Sequence, residues 1–243
     1  MGQILALVYG VVCYLIFFVT FLYAIGFVGN LIVPKAIDSG ASVLFSQALL
    51  INALLLGIFA IQHSVMARPA FKRWWIRFVP QPVERSTYVL PSSLALVLLY
   101  WQWRPVTDTV WGVENPAGRY TLWALFWIGW AIVLVSTFLI NHFDLFGLRQ
   151  VYLYQRGKEY TNVGFRTPFF YKVVRHPIML GFIIAFWATP RMTVGHLVFA
   201  IATTAYILIA LQFEERDLVS IYGKTYEEYR HQVSMLVPIP KKR

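Results

Sequence analysis

Long apolar runs separated by short polar stretches organise this chain. The runs fall near residues 4–29, 44–66, 87–103, 120–141 and 192–213. A helix of about 20 apolar residues crosses the hydrocarbon core of a bilayer, so each run predicts a transmembrane span, the third being the shortest. A sixth run, 178–189, stops at Pro190 and would reach only about 18 Å as a straight helix. That predicts a half-helix hairpinned against 192–213. None of the runs alternates apolar and polar residues with period two, so helices rather than barrel strands are expected. The stretch "YGKTYEEYRHQV" (222–233) reads as an amphipathic, interfacial helix. The fold class expected is therefore all-α: a polytopic helix bundle in a single domain, 1–243.

Composition agrees with the pattern. Of 243 residues, 58% are hydrophobic and 13% charged, against about 25% charged in soluble domains. No cleavable signal is expected, because the first run is long and has no basic leader. The net charge of +10 is better read as topological than as a nucleic-acid footprint. Arg68, Lys72, Arg73, Arg77 and Arg85 fall in one inter-run segment. Arg149, Arg156, Lys158, Arg166, Lys172 and Arg175 fall in another, while 30–43 and 104–119 are balanced. By the positive-inside rule both termini and the basic segments are expected on the cytoplasmic side of a bacterial inner membrane. The lone cysteine, Cys13, rules out an internal disulfide and a Cys-rich metal site, and no metal is expected. Aromatic residues near run ends, among them Trp74, Trp75, Trp101, Trp111 and Tyr120, fit an interfacial belt.

Candidate chemistry gathers at the cytoplasmic ends of the runs. Asn141, His142 and Asp144 follow the fourth run, Arg175-His176-Pro177 precedes the sixth, and Glu214-Glu215 closes the last. His63 ends the second, and Arg85 and Tyr88 open the third. Proline favours the first helical position, so Pro177 places Arg175 and His176 beside free amides at the positive end of a helix. Paired acids at a membrane boundary need matching cations or ligand groups. The residues thus outline a pocket with an anion-binding end (Arg175 and the 177–180 amides) and a carboxylate end (Glu214, Glu215), suited to a zwitterion or a cation carrying an anionic group.

The order Arg-His-Pro, acidic pair, Gly223-x-x-Tyr226-x-x-Tyr229 over residues 175–232 resembles the isoprenylcysteine carboxyl methyltransferase superfamily of membrane enzymes. Within it, "QHSVMARPAFK" (62–72), "WQWRP" (101–105), "INHFDLFGLRQV" (140–151) and "TPRMTVGHLVFA" (189–200) are most similar to the family of methanethiol S-methyltransferases. The resemblance implies S-adenosylmethionine as methyl donor, a small volatile thiol as acceptor and dimethyl sulfide as product. It implies a cofactor-binding part at 140–232, with Arg175, His176, Pro177, Met179, Gly181, Glu214, Glu215 and Tyr226 at the donor. Met179 departs from the superfamily, which often has tyrosine there; its thioether is expected against the adenine. His142 or Tyr88 is expected to deprotonate or position the thiol, with Asn141 and Arg85 orienting the partners. Other acceptors use a similar donor half-site: a prenylcysteine carboxylate, a phospholipid amine or hydrogen sulfide. A haem-binding redox protein, ligated through His63 and His142, is the rival from another class. A transporter would want polar residues at mid-bilayer depth, where this chain has mainly Gln47 and Asn52.

Overall fold

A computed structural model of the chain describes residues 2–41, 43–161 and 163–239. Lys241, Lys242 and Arg243 of the basic tail lie outside these residues. The chain divides into two compact units: residues up to 106 with 141–163, and 107–140 with 164 onward. The segment 140–232, expected to form one cofactor-binding part, is divided between them.

In the first unit, α1 (Gln3–Gly29) and α2 (Phe45–Ala67) both pack against α4 (Glu84–Gln102). Asn30, in the left-handed region (φ 52°), ends α1, and its N–H returns to the Gly26 carbonyl, closing an otherwise open helix end. Short helices follow: α3 (Pro69–Trp75) directly after α2, then α6 (His142–Leu145) and α7 (Leu148–Gln155). Gly10 of α1 lies against Val151 of α7, where a β-carbon would come within 2.5 Å of the valine methyl. Asn52 of α2 pairs with backbone: it donates to the Arg104 carbonyl at 2.8 Å and accepts from the Arg104 N–H at 2.9 Å. The amide thereby satisfies both backbone groups of a residue just beyond α4.

The second unit is built on α5 (Pro116–Ile140), the short α8 (Pro177–Trp187) and α9 (Val194–Tyr222), with α10 (Lys224–Gln232) against α9. Glycine allows α5 and α8 to touch: a β-carbon on Gly181 would stand 2.6 Å from the Gly129 carbonyl oxygen. As expected, α8 is a half-length helix running into α9. The connection carries a feature the periodicity did not predict. Strand β1 (Thr109–Gly112) pairs antiparallel with β2 (Arg191–Thr193), and Thr193 then caps α9 by accepting from the His196 N–H at 3.1 Å. Two strands of three and four residues are too short to show alternation.

Among the described residues, four helices are long and apolar enough to cross a membrane: α1, α2, α5 and α9. The run expected as a fifth span forms α4. Its 19 residues reach about 28 Å, but Glu84, Arg85, Ser86 and Thr87 open it and Ser92 and Ser93 interrupt its apolar face, so it stands outside that group.

Candidate functional site

In the second unit the site is assembled on one carboxylate. Pro177 occupies the first position of α8 and His176 its N-cap, as the Arg-His-Pro order predicts. The strand-like stretch before it is held by Ser234 and Met235, whose carbonyls accept from the Arg175 and His176 N–H groups at 2.9 and 3.2 Å. This leaves both side chains directed at Glu215 of α9. Glu215 Oε1 accepts from Arg175 Nε (2.8 Å), His176 Nε2 (2.8 Å) and Tyr226 Oη (3.0 Å). Its Oε2 accepts from Arg175 Nη2 (3.1 Å) and Arg230 Nε (2.8 Å). The Arg175 Nη1 group is used by the Arg230 and Val233 carbonyls.

The sequence reading set an anion-binding Arg175 and a carboxylate Glu215 at two ends of a pocket. The structure joins them in a fork-to-fork pair, with both side chains at least nine-tenths buried. A charge withdrawn from water needs a partner of opposite sign and full hydrogen bonding, and each supplies it to the other. The adjacent acid is different. The Glu214 side chain is 45% exposed, and its carboxylate stands 3.8 Å from His176 Nδ1. A recess of about 320 Å³ opens beside the network, lined by Arg175, Glu227, Arg230 and His231.

Tyr226 is buried; burial first, and the Glu215 charge second, push its phenol well above the ordinary range. Tyr229 donates to the Tyr171 carbonyl, and burial pushes its phenol up to about 12. Both are therefore neutral donors at physiological pH. Phe165 packs on Tyr222, Tyr226 and Tyr229, with ring centroids 5.2–5.7 Å apart.

Two further residues expected at the methyl donor have these packing neighbours. Met179 lies against the cluster of Ile207, Leu211 and Leu236, and Gly181 lies against Gly129. Arg230 was missed, although it directly follows Tyr229 in the Gly-x-x-Tyr-x-x-Tyr motif; an arginine one residue beyond such a motif was the available signal. Nothing in the sequence spacing signals the carbonyls of Val233, Ser234 and Met235.

In the first unit, Arg85, Tyr88, Asn141 and His142 come to one end. Contacts between Tyr9 and Thr87 (3.1 Å) and between Gly147 and Ser86 tie the start of α4 to α1 and to the turn after α6. His142 is buried. Its Nε2 stands 2.9 Å from Tyr14 Oη, and the rings of Tyr14, Phe143 and Phe146 meet it edge-on. Burial holds its imidazole below the ordinary histidine range, so it is neutral and able to accept a proton. Asn141 caps α6 by accepting from the Asp144 N–H at 3.2 Å. Asp144 pairs with Arg149 at 3.0 Å and accepts from Tyr160 at 3.2 Å. Arg85 Nε is buried without a hydrogen-bond partner, an expensive position for a cationic donor. Tyr88 Oη lies 3.0 Å from His63, which also contacts Ser92 Oγ at 3.3 Å. The His63 and His142 imidazoles of the haem reading are thus each engaged with a tyrosine hydroxyl. Among the described residues no group of three or more His, Cys, Asp or Glu is placed to hold a metal ion.

Comparison with known proteins places this geometry among relatives. The profile of the NnrU protein family matches residues 49–225. A methanethiol S-methyltransferase of Mycobacterium tuberculosis is 61% identical over 240 residues, covering 99% of this chain and 98% of the relative. One from Crocosphaera subtropica is 58% identical over 243 residues, covering 100% and 95%. Mouse nurim is 28% identical over 174 residues, covering 68% of this chain and 65% of its own. No solved structure matches.

Proposed function

Because the chain belongs to the NnrU family and aligns along its full length with methanethiol S-methyltransferases, we propose that it methylates methanethiol to dimethyl sulfide with S-adenosylmethionine as donor. The observation that carries the donor assignment is the recess beside the Glu215 network. Arg230 and His231 suit a carboxylate there, and Glu227 suits an ammonium, which is the donor set an amino-acid zwitterion requires. Half-exposed Glu214 adds a second acid for a cationic ligand. Arg175, His176 and Tyr226 act on the donor through Glu215, holding α8, α9 and α10 around the recess. Pro177, Gly181 and Met179 set the path of α8.

When bound, the donor supplies a methyl group already activated on a sulfonium sulfur. The protein's tasks are then alignment, worth about 7–11 kcal/mol in favourable systems, and conversion of the acceptor to its thiolate. A small alkyl thiol is mostly protonated at neutral pH, so a base contributes. Neutral His142 takes the thiol proton, or Tyr88 does so while passing its own phenolic proton to His63, 3.0 Å away; Arg85 with its open Nε–H steadies the sulfur anion, and Asn141 orients the turn that carries His142. The polar helix α4 counts as a fifth span, and the termini and these residues face the cytoplasm; the basic segments support that orientation.

The test is acceptor choice. Detergent-purified protein is incubated with methyl-labelled S-adenosylmethionine and, separately, methanethiol, hydrogen sulfide, a prenylcysteine peptide and phosphatidylethanolamine. Labelled dimethyl sulfide from methanethiol is expected. Label only in methanethiol formed from hydrogen sulfide, in a methyl ester or in lipid assigns a different acceptor and refutes this one. A Soret band in the purified protein would favour the haem reading instead.

A further inference from the structure

We propose that residues 68–78, comprising α3 and the turn after it, form a docking surface for anionic phospholipid headgroups. The segment "RPAFKRWWIRF" leaves the end of α2, a helix apolar enough to span, and no acidic residue occurs between 67 and 83. Arg73 and Arg77 are both exposed. Arg73 lies in the last turn of α3 and Arg77 in the turn after it, and neither side chain has a hydrogen-bond or ion-pair partner among the described residues. Exposed apolar side chains stand among them. Trp74 is 47% exposed and Phe78 67% exposed, with Ile76 beside them at 48%. The rings brace each other, Trp74 on Phe78 at 5.2 Å and on Phe71 at 5.4 Å, so the ridge is rigid while it is exposed.

An exposed apolar ridge of this kind marks an interaction surface. Two features select lipid over an acidic protein. The ridge begins within one residue of a membrane-length helix, at the depth where tryptophan and phenylalanine sink into the acyl boundary. The unpaired arginine side chains directly precede these aromatic residues in the chain, Arg73 before Trp74 and Arg77 before Phe78, where phosphate groups of that leaflet would meet them. The site reads charge rather than headgroup identity, because guanidinium groups without neighbouring acids or shaped walls offer no finer selection.

The experiment uses the full-length protein in detergent, titrated with phosphatidylglycerol or phosphatidylcholine and read by native mass spectrometry. Tighter binding of phosphatidylglycerol is expected. The R73Q/R77Q variant should bind it about 30-fold more weakly, with phosphatidylcholine binding unchanged. The R119Q/R191Q variant, which removes an exposed arginine pair of the second unit, should match the parent. Retained phosphatidylglycerol affinity in R73Q/R77Q, or an equal loss in R119Q/R191Q, overturns the proposal. A photo-crosslinking residue in place of Phe78 supplies a second readout in native membranes: lipid adducts are expected, and a protein adduct in their place refutes the choice of partner.

Discussion

Glu215→Gln is the substitution that loads the Glu215 network most heavily. The amide preserves shape but removes the charge facing Arg175, whose side chain is 7% exposed, and Arg230, whose side chain is 45% exposed. It also turns an –NH2 donor toward a site that already holds donors from Arg175, His176, Tyr226 and Arg230. Removing one partner of a buried ion pair costs about 3–5 kcal/mol. The lower value applies here, because Arg230 can turn to water and Arg175 keeps the Arg230 and Val233 carbonyls. For a chain of this size about 3 kcal/mol lowers the melting temperature by roughly 6–12 °C. Glu214→Gln is the matched control: one contact at 3.8 Å on a half-exposed side chain contributes under about 1 kcal/mol. Tryptophan fluorescence of the two purified variants, heated side by side, reads the difference. If Glu215→Gln melts within about 2 °C of Glu214→Gln, the carboxylate does not organise α8, α9 and α10, and the reasoning fails.

Other outcomes follow from single contacts. Gly181→Ala pushes a methyl into the Gly129 carbonyl and should cost about 1–3 kcal/mol, visible in the same melting assay, whereas Gly57→Ala, with open space around it, should not. His142→Ala should lower turnover at saturating donor by about 10²–10⁴-fold if it is the base; parental turnover would transfer that role to Tyr88. The pH dependence has a definite sign. Burial depresses the His142 pKa in the folded protein, so below about pH 6.5 the unfolded chain binds the proton more readily. Its contribution to stability is present above that pH and declines as pH falls through the folded value. A His142→Gln variant should show a shallower acid loss of melting temperature than the parent; identical profiles would contradict the assignment.

Much of the fold was legible because long apolar runs fix helices almost unaided. The half-helix over 178–189 could be read from Pro190 and length alone, and Pro177 gave its first turn. What sequence could not supply was pairing. Arg175 and Glu215 are 40 residues apart, and a cation and an anion each look like a ligand site until their mutual distance is known. The same holds for His63 with Tyr88, which read as a haem ligand and a base and stand as a hydrogen-bonded pair. Short elements were invisible for a different reason. The β1–β2 ribbon and helices α3 and α6 are too brief to repeat a pattern, and backbone pairing and caps hold them. Met179, the departure from the superfamily motif, packs against the cluster of Ile207, Leu211 and Leu236, a tertiary neighbourhood that the motif alone does not show.

The central claim is transfer of a methyl group from S-adenosylmethionine to methanethiol in one step, and a single turnover measures it most directly. Purified protein is loaded with a stoichiometric amount of methyl-labelled donor, methanethiol is added, and label is counted in the headspace, the lipid and the protein. The account predicts that the label leaves as dimethyl sulfide, one equivalent per bound donor, with none on the chain. Label retained on the protein, at Cys13 or elsewhere, or recovered only in lipid, would contradict it.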